Sequence, residues 1–167
     1  MSAAATPRIL FVDDEDSLRF LFCKVFEKKP WSIDTASDFS EALKSLSDKN
    51  HDVVITDITM PGKSGLDLLR DIHAINRDIL VILITGNPSI ESASEAVRHG
   101  AFDYLIKPFN MTSLEYVVEN ALQQKRQQDE KKRLSIIEHN YIDNLERTLH
   151  AQTLEIRKAY KFLSQAH

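Results

Sequence analysis

The stretch from His51 to Gly62, HDVVITDITMPG, decides the fold. Val53, Val54 and Ile55 form a short apolar run, Asp57 stands at its end, and Pro61-Gly62 forces a loop after it. A Val/Ile run bounded by turn residues predicts a strand buried on both faces, as in parallel sheets covered by helices. In open parallel sheets, ligands sit beyond the carboxyl ends of the strands. Asp57 is therefore a carboxylate delivered to the mouth of that crevice. Taken alone, such an aspartate reads as a turn or cap residue. Its weight comes from what the rest of the chain aims at the same place.

On the amino-terminal side, Arg8 to Val12 (RILFV) predicts a first strand that runs straight into Asp13, Asp14, Glu15 and Asp16. Ser17 to Lys28 carries Leu18, Leu21, Phe22, Val25 and Phe26 at helical spacing, and Pro30 is the expected stop. Trp31 to Ala36 predicts a second, partly exposed strand. Asp38 with Glu41 predicts a capping-box start to a helix that turns Phe39, Ala42, Leu43 and Leu46 inward.

Beyond the central strand, Ser64 is the expected cap of a helix with Leu66, Leu68, Leu69 and Ile72 as its apolar residues. Ile79 to Ile84 predicts a fourth strand, ending at Thr85-Gly86. Asn87-Pro88 predicts the next helix start, with Asn87 as cap. That helix, Ser89 to His99, is thin, with a buried stripe of Ile90, Ala93 and Val97 and mediocre helix formers at its serines. Gly100 is the expected left-handed cap. Asp103 to Ile106 predicts a fifth strand before Lys107-Pro108, and Asn110 a cap for the last helix. Five strands alternating with five helices mean a doubly wound α/β domain with a parallel sheet.

With 43% hydrophobic and 28% charged residues, the 167-residue chain has the composition of a soluble globular protein with room for a full core. Its net charge of -4 and lack of a polybasic arm argue against direct nucleic-acid binding. The longest apolar run, Ile79 to Ile84, is too short to span a bilayer, so no membrane insertion is expected. Ser2 to Pro7 has no signal core, and a cytoplasmic location follows as the expectation. Residues 1–6 read as a disordered leader. Cys23, the single cysteine, reads as a buried core thiol.

After about Ala121 nothing stops the last helix. Apolar or aromatic residues recur at Leu134, Ile137, Tyr141, Leu145, Leu149, Ile156, Tyr160 and Leu163, with polar Gln152 in the series. The tail from residue 129 carries six acidic and seven basic residues. One apolar stripe on a long, mixed-charge helix predicts a dimeric coil over 127–167, because an isolated helix of this kind is marginal in water.

The strand ends collect Asp13, Asp14, Asp57, Thr85 and Lys107. Three carboxylates close together repel, and a hard divalent cation such as magnesium resolves the repulsion. Lys107 adds a second positive charge and Thr85 a hydroxyl donor. Phosphoryl transfer needs mainly positioning and charge neutralisation, and a carboxylate can be its nucleophile.

These residues resemble the receiver domains of bacterial two-component response regulators. The match rests on FVDDED at 11–16, Asp57 with Met60-Pro61-Gly62, Thr85-Gly86, Gly100-Ala101 with Tyr104, and Lys107-Pro108-Phe109. Each motif is weak alone; five in order at matching spacings are specific. The resemblance covers about residues 7 to 126. It implies a flavodoxin-like fold with strand order 2-1-3-4-5, and phosphate accepted on Asp57 from a sensor histidine kinase or phosphotransfer protein. It implies Mg2+ held by Asp14 directly, Asp13 through water, Asp57 and the Thr59 backbone carbonyl. Lys107 would contact the phosphoryl group, with a cis bond to Pro108. Thr85 and Tyr104 would switch together, and Thr59 and Asn87 would influence phosphate lifetime. The fourth helix, fifth strand and fifth helix would form the signalling face. The coil over 134–163 would make a parallel homodimer and lead to an effector domain, by analogy a cyclic-di-GMP phosphodiesterase or kinase-like one.

Two other readings compete. Asp14-Glu15-Asp16-Ser17-Leu18 after a strand also resembles haloacid-dehalogenase-type phosphatases, with Asp14 as nucleophile and Asp16 as general acid. That reading lacks a fourth acidic motif and leaves Asp57 without a role. A receiver that only dimerises its partners is the other, and the intact acidic set argues against it.

Overall fold

The computed structural model describes residues 5–166. Five strands and five helices alternate: β1 Arg8–Val12, α1 Asp16–Val25, β2 Ser32–Ala36, α2 Phe39–Asp48, β3 Val53–Asp57, α3 Gly65–Ile75, β4 Leu80–Thr85, α4 Ile90–Arg98, β5 Asp103–Ile106 and α5 Met111–Gln165. All neighbouring strands pair in parallel, in the order β2-β1-β3-β4-β5. The doubly wound fold with a long last helix is as expected. The chain divides into two units between Arg126 and Gln127. Of the expected leader, Ala5 and Thr6 have no regular structure, and residues 1–4 lie outside the described residues.

β3 is buried at every position, and its alternate side chains feed two cores. Val54 joins a cluster with Leu10, Val81, Leu68 and Leu69. Val53 and Ile55 join one with Ile9, Phe22, Leu114 and Val118 on the other face. Full burial of such a side chain is worth about 1.5–3 kcal/mol, so the strand is pinned from both sides. α1 is seated by aromatics: Phe22 stacks on Phe11 of β1 with centroids 4.3 Å apart, and Phe26 packs edge-on to Phe22 at 4.9 Å.

Several expectations need correction. α1 ends at Val25, well before Pro30. Phe26 turns inward against Phe22 and Trp31, and the Lys29 N–H closes a turn on its carbonyl. Cys23 is half-buried rather than a core thiol, and burial still pushes its thiol up. Asp38 caps α2 through the Glu41 N–H, but the Glu41 carboxylate reaches Ser37, one residue further back than a capping box requires. Ser64 and Asp67 do form a capping box on α3.

α4 differs most. Its cap is Ser89, in a capping box with Ser92, not Asn87. Ile90 and Val97 are 87% and 81% exposed, and Ala96 is the buried residue. The helix presents its small residues to the sheet, and Ser92 meets the Tyr104 hydroxyl there at 2.8 Å. Periodicity could not see that partner.

In the second unit, every residue of the predicted stripe is exposed on the single chain. Ile136, Ile142, Leu154 and Phe162 are exposed there too, beyond the stripe as read.

Candidate active site at the carboxyl edge of the sheet

β1 and β3 are neighbours in register, Val12 beside Thr56, so the residues that follow them emerge side by side. Asp13 leaves β1 with its N–H on the Ala36 carbonyl, 3.1 Å away. Asp57 closes β3, paired with Ile84 of β4. The loop after it is tied down by the Ile58 N–H on Ile84 and the Gly65 N–H on Ile58. Gly65 has to be glycine: a Cβ there would sit 2.2 Å from the Asp57 carbonyl oxygen. Gly62, at φ +82, takes the left-handed turn before it.

Carboxylate oxygens of Asp13, Asp14 and Asp57 lie within 4.8 Å of one another. Asp13 is fully buried, Asp57 nearly so, and Asp14 is exposed. Lys107, at the end of β5, reaches across with its Nζ 2.7 Å from Asp57 and 3.2 Å from Asp13. Its backbone N–H donates to the Thr85 carbonyl at 2.7 Å, and its bond to Pro108 is cis, as expected. The second oxygen of Asp57 accepts the Thr59 N–H at 2.9 Å, and that of Asp13 accepts the Glu15 N–H at 2.8 Å.

Thr85 is buried beside this cluster, and its hydroxyl accepts the Asn87 N–H at 3.0 Å. Tyr104 is half-buried, its hydroxyl on Ser92 of α4. The sequence pointed to Tyr104 but missed Ser92. Asp16, by contrast, is almost wholly exposed and paired with Arg19. It does not join the cluster, so the phosphatase reading loses its general acid.

Burial pushes the Asp13 carboxyl up; the Glu15 N–H and the Lys107 charge pull it down but do not win, and Asp57 adds repulsion. Burial lowers Lys107, yet its hydrogen bond to Asp57 and the two carboxylate charges outweigh this and raise it. The donor set is all hard oxygen with one exposed carboxylate, which suits a small divalent cation that keeps several waters.

A family model, described as response regulator receiver domain, matches residues 9–119. The chain belongs to this family. Such receivers work in phosphorylation-dependent signalling, which rules out the phosphatase alternative. The receiver is 40% identical over 119 residues to the regulatory protein AtoC of Escherichia coli, covering 71% of this chain and 26% of that protein. It is 32% identical over 125 residues to the DNA-binding transcriptional regulator NtrC of the same organism, covering 75% and 27%. The chain thus spans about a quarter of the length of the curated relatives it matches. Among solved structures it resembles the response regulator TrrA from Thermotoga maritima in complex with Mg2+ and BeF, at 36% identity and a TM-score of 0.63, covering 70% of this chain and 99% of that one. No helix among the described residues is long and apolar enough to cross a membrane.

The raised Asp13 has a consequence for stability. Its ionised form costs the folded state free energy above the folded-state pKa, and the cost vanishes as pH falls to the ordinary carboxylate range. Lys107 works the other way, adding stability that is lost only above the ordinary lysine range. Asp13→Asn is therefore expected to raise the metal-free melting temperature at neutral pH, with the gain shrinking towards acid. The same variant is expected to lose most of the stabilisation that magnesium gives the wild type. Melting curves against pH, with and without magnesium, check both.

Proposed function

We propose that the receiver takes a phosphoryl group on Asp57 from a phosphohistidine of a sensor histidine kinase or phosphotransfer protein. The observation that carries this is the single ammonium of Lys107 bridging Asp57 and Asp13, two of three clustered carboxylates. The bond from phosphorus to the donor imidazole breaks as one to an Asp57 oxygen forms. Mg2+, when bound, neutralises charge on the incoming phosphoryl oxygens. Asp13, Asp14, Asp57 and the Thr59 carbonyl would hold it. Lys107 then exchanges its hydrogen bond to Asp57 for one to the phosphate. Thr85 turns its hydroxyl to the same group, and Tyr104 gives up Ser92 and moves inward. Thr59, whose N–H bonds to Asp57, and Asn87, whose N–H bonds to Thr85, influence how quickly the phosphate is lost. The change leaves through α4, β5 and α5.

The reading places the chain in the cytoplasm, as a receiver over 7–126 and a linking helix over 127–167. The name of NtrC, a DNA-binding transcriptional regulator, supports transcriptional control as the output of the whole protein. That displaces the expected cyclic-di-GMP phosphodiesterase or kinase-like effector. It also confines the expected lack of nucleic-acid contact to the residues described here.

Treatment with a small-molecule phosphodonor and magnesium is expected to add one phosphate, absent from Asp57→Asn by intact mass. Lys107→Ala is expected to keep its fold but not transmit the change to α4. Equal labelling of Asp57→Asn would overturn the assignment.

The tail, in this reading, forms a parallel homodimer through residues 134–163, since both helices leave their receivers in one direction. Each aliphatic side chain buried in the seam contributes about 1.5–3 kcal/mol when fully covered. Ordering and lost tumbling offset much of that, which sets dissociation in the micromolar range. Sedimentation is expected to show a dimer for wild type and a monomer for Leu145→Asp with Leu149→Asp, where charge would enter the seam. A chain cut after Gln128 that dimerises as tightly as the whole would remove the coil.

A further inference from the structure

A cleft of about 450 Å³ opens between the carboxyl-terminal ends of α3 and α4, and none of the acidic cluster lines it. Arg70 and His73 of α3, Arg77 just after it, Arg98 of α4 and His99 at its cap line the cleft. Three arginines thus line one concavity on a chain of net charge -4. No carboxylate lines it among the described residues. Arg70 pairs with Asp67 one turn back, whereas Arg77 and Arg98 have no ion-pair partner among the described residues. Cations at helix carboxyl ends do offset the macrodipole, and that accounts for one charge per helix end. Convergence of three on a single hollow exceeds that need.

The floor of the cleft is built. The His73 Nδ1 lies 2.9 Å from the His99 carbonyl oxygen and its Nε2 2.9 Å from that of Ile79. Gly100, at φ +78, lies against this ring, 3.6 Å from where its Cβ would stand. One imidazole therefore ties the last turn of α3 to the start of β4 and the end of α4.

From this arrangement we propose that the cleft binds a phosphate-bearing small molecule of nucleotide size. Guanidinium forks match phosphate oxygens in pairs, and their planes stack on aromatic bases. The volume falls in the range of small-molecule sites, roughly 300–1,000 Å³. A ligand that engages Arg77 and Arg98 together clamps the end of α4 to α3. α4 also carries Ser92, the partner of Tyr104, so occupancy biases the same helix as phosphorylation does. The site is a second input to the receiver, and it does not depend on Asp57.

The test is titration of the whole chain, without magnesium, with guanosine diphosphate and with pyrophosphate, followed by calorimetry and backbone amide NMR. Citrate serves as the carboxylate control. Both phosphates are expected to bind and to shift the His99 and Gly100 amides. Arg77→Ala with Arg98→Ala is expected to weaken binding by about tenfold or more while keeping the wild-type melting curve and the labelling of Asp57. Three results would overturn the proposal: shifts confined to Asp13, Thr85 and Lys107; citrate binding as tightly as guanosine diphosphate; or unchanged affinity in the double variant.

Discussion

Two buried carboxylates share one ammonium, with a third carboxylate beside them, at the edge of a sheet that is buried on both faces. Asp13 and Asp57 are out of solvent, and Lys107 bonds to both. Burial above all, with repulsion from Asp57 added, pushes the Asp13 carboxyl up. Anything that brings positive charge relieves it, and anything that then adds a phosphoryl group has a counter-charge waiting. The rest of the receiver exists to hold this imbalance in place.

It does so with cheap local devices. β3 cannot slip, because Val54 and Ile55 are locked into opposite cores. α3 begins immediately beneath the Asp57 carbonyl because Gly65 has no side chain to strike it. α1 is fixed by the Phe11–Phe22 stack, which sets where the chain leaves β1. α4 is held differently. Its apolar residues Ile90 and Val97 face solvent, and its attachments include one hydroxyl pair, Ser92 with Tyr104. A helix held by polar and small-residue contacts moves more readily than one with a large apolar face. That contrast separates the rigid part of the receiver from the part that, in the proposed reading, carries the signal.

Strands were the easiest elements to read, because their buried runs are continuous and their ends carry charge. The acidic cluster was legible for the same reason: in a parallel sheet all strand ends point one way. Helix faces were harder. α4 offered Ile90, Ala93 and Val97 as a stripe; the fold buries Ala96, half-buries Ala93 and leaves Ile90 and Val97 exposed, with Ser92 on the hydroxyl of Tyr104, a partner on another element. The end of α1 depended on Phe26 packing against Trp31, a contact between residues that no local rule connects. The cleft between α3 and α4 left no mark in the sequence, because its arginines are scattered over both helices and only the crossover brings them together.

The central claim is that the Asp13, Asp14, Asp57 and Lys107 constellation is a phosphoryl acceptor with its cation site. A crystal structure of the chain grown with magnesium and beryllofluoride tests it most directly. The account predicts beryllofluoride bonded to an Asp57 carboxylate oxygen, a metal ion among Asp13, Asp14 and Asp57, and the Lys107 ammonium moved from Asp57 onto the fluoride. Beryllofluoride bonded at another carboxylate, or absent from Asp57 with Lys107 still paired there at full magnesium occupancy, would contradict it.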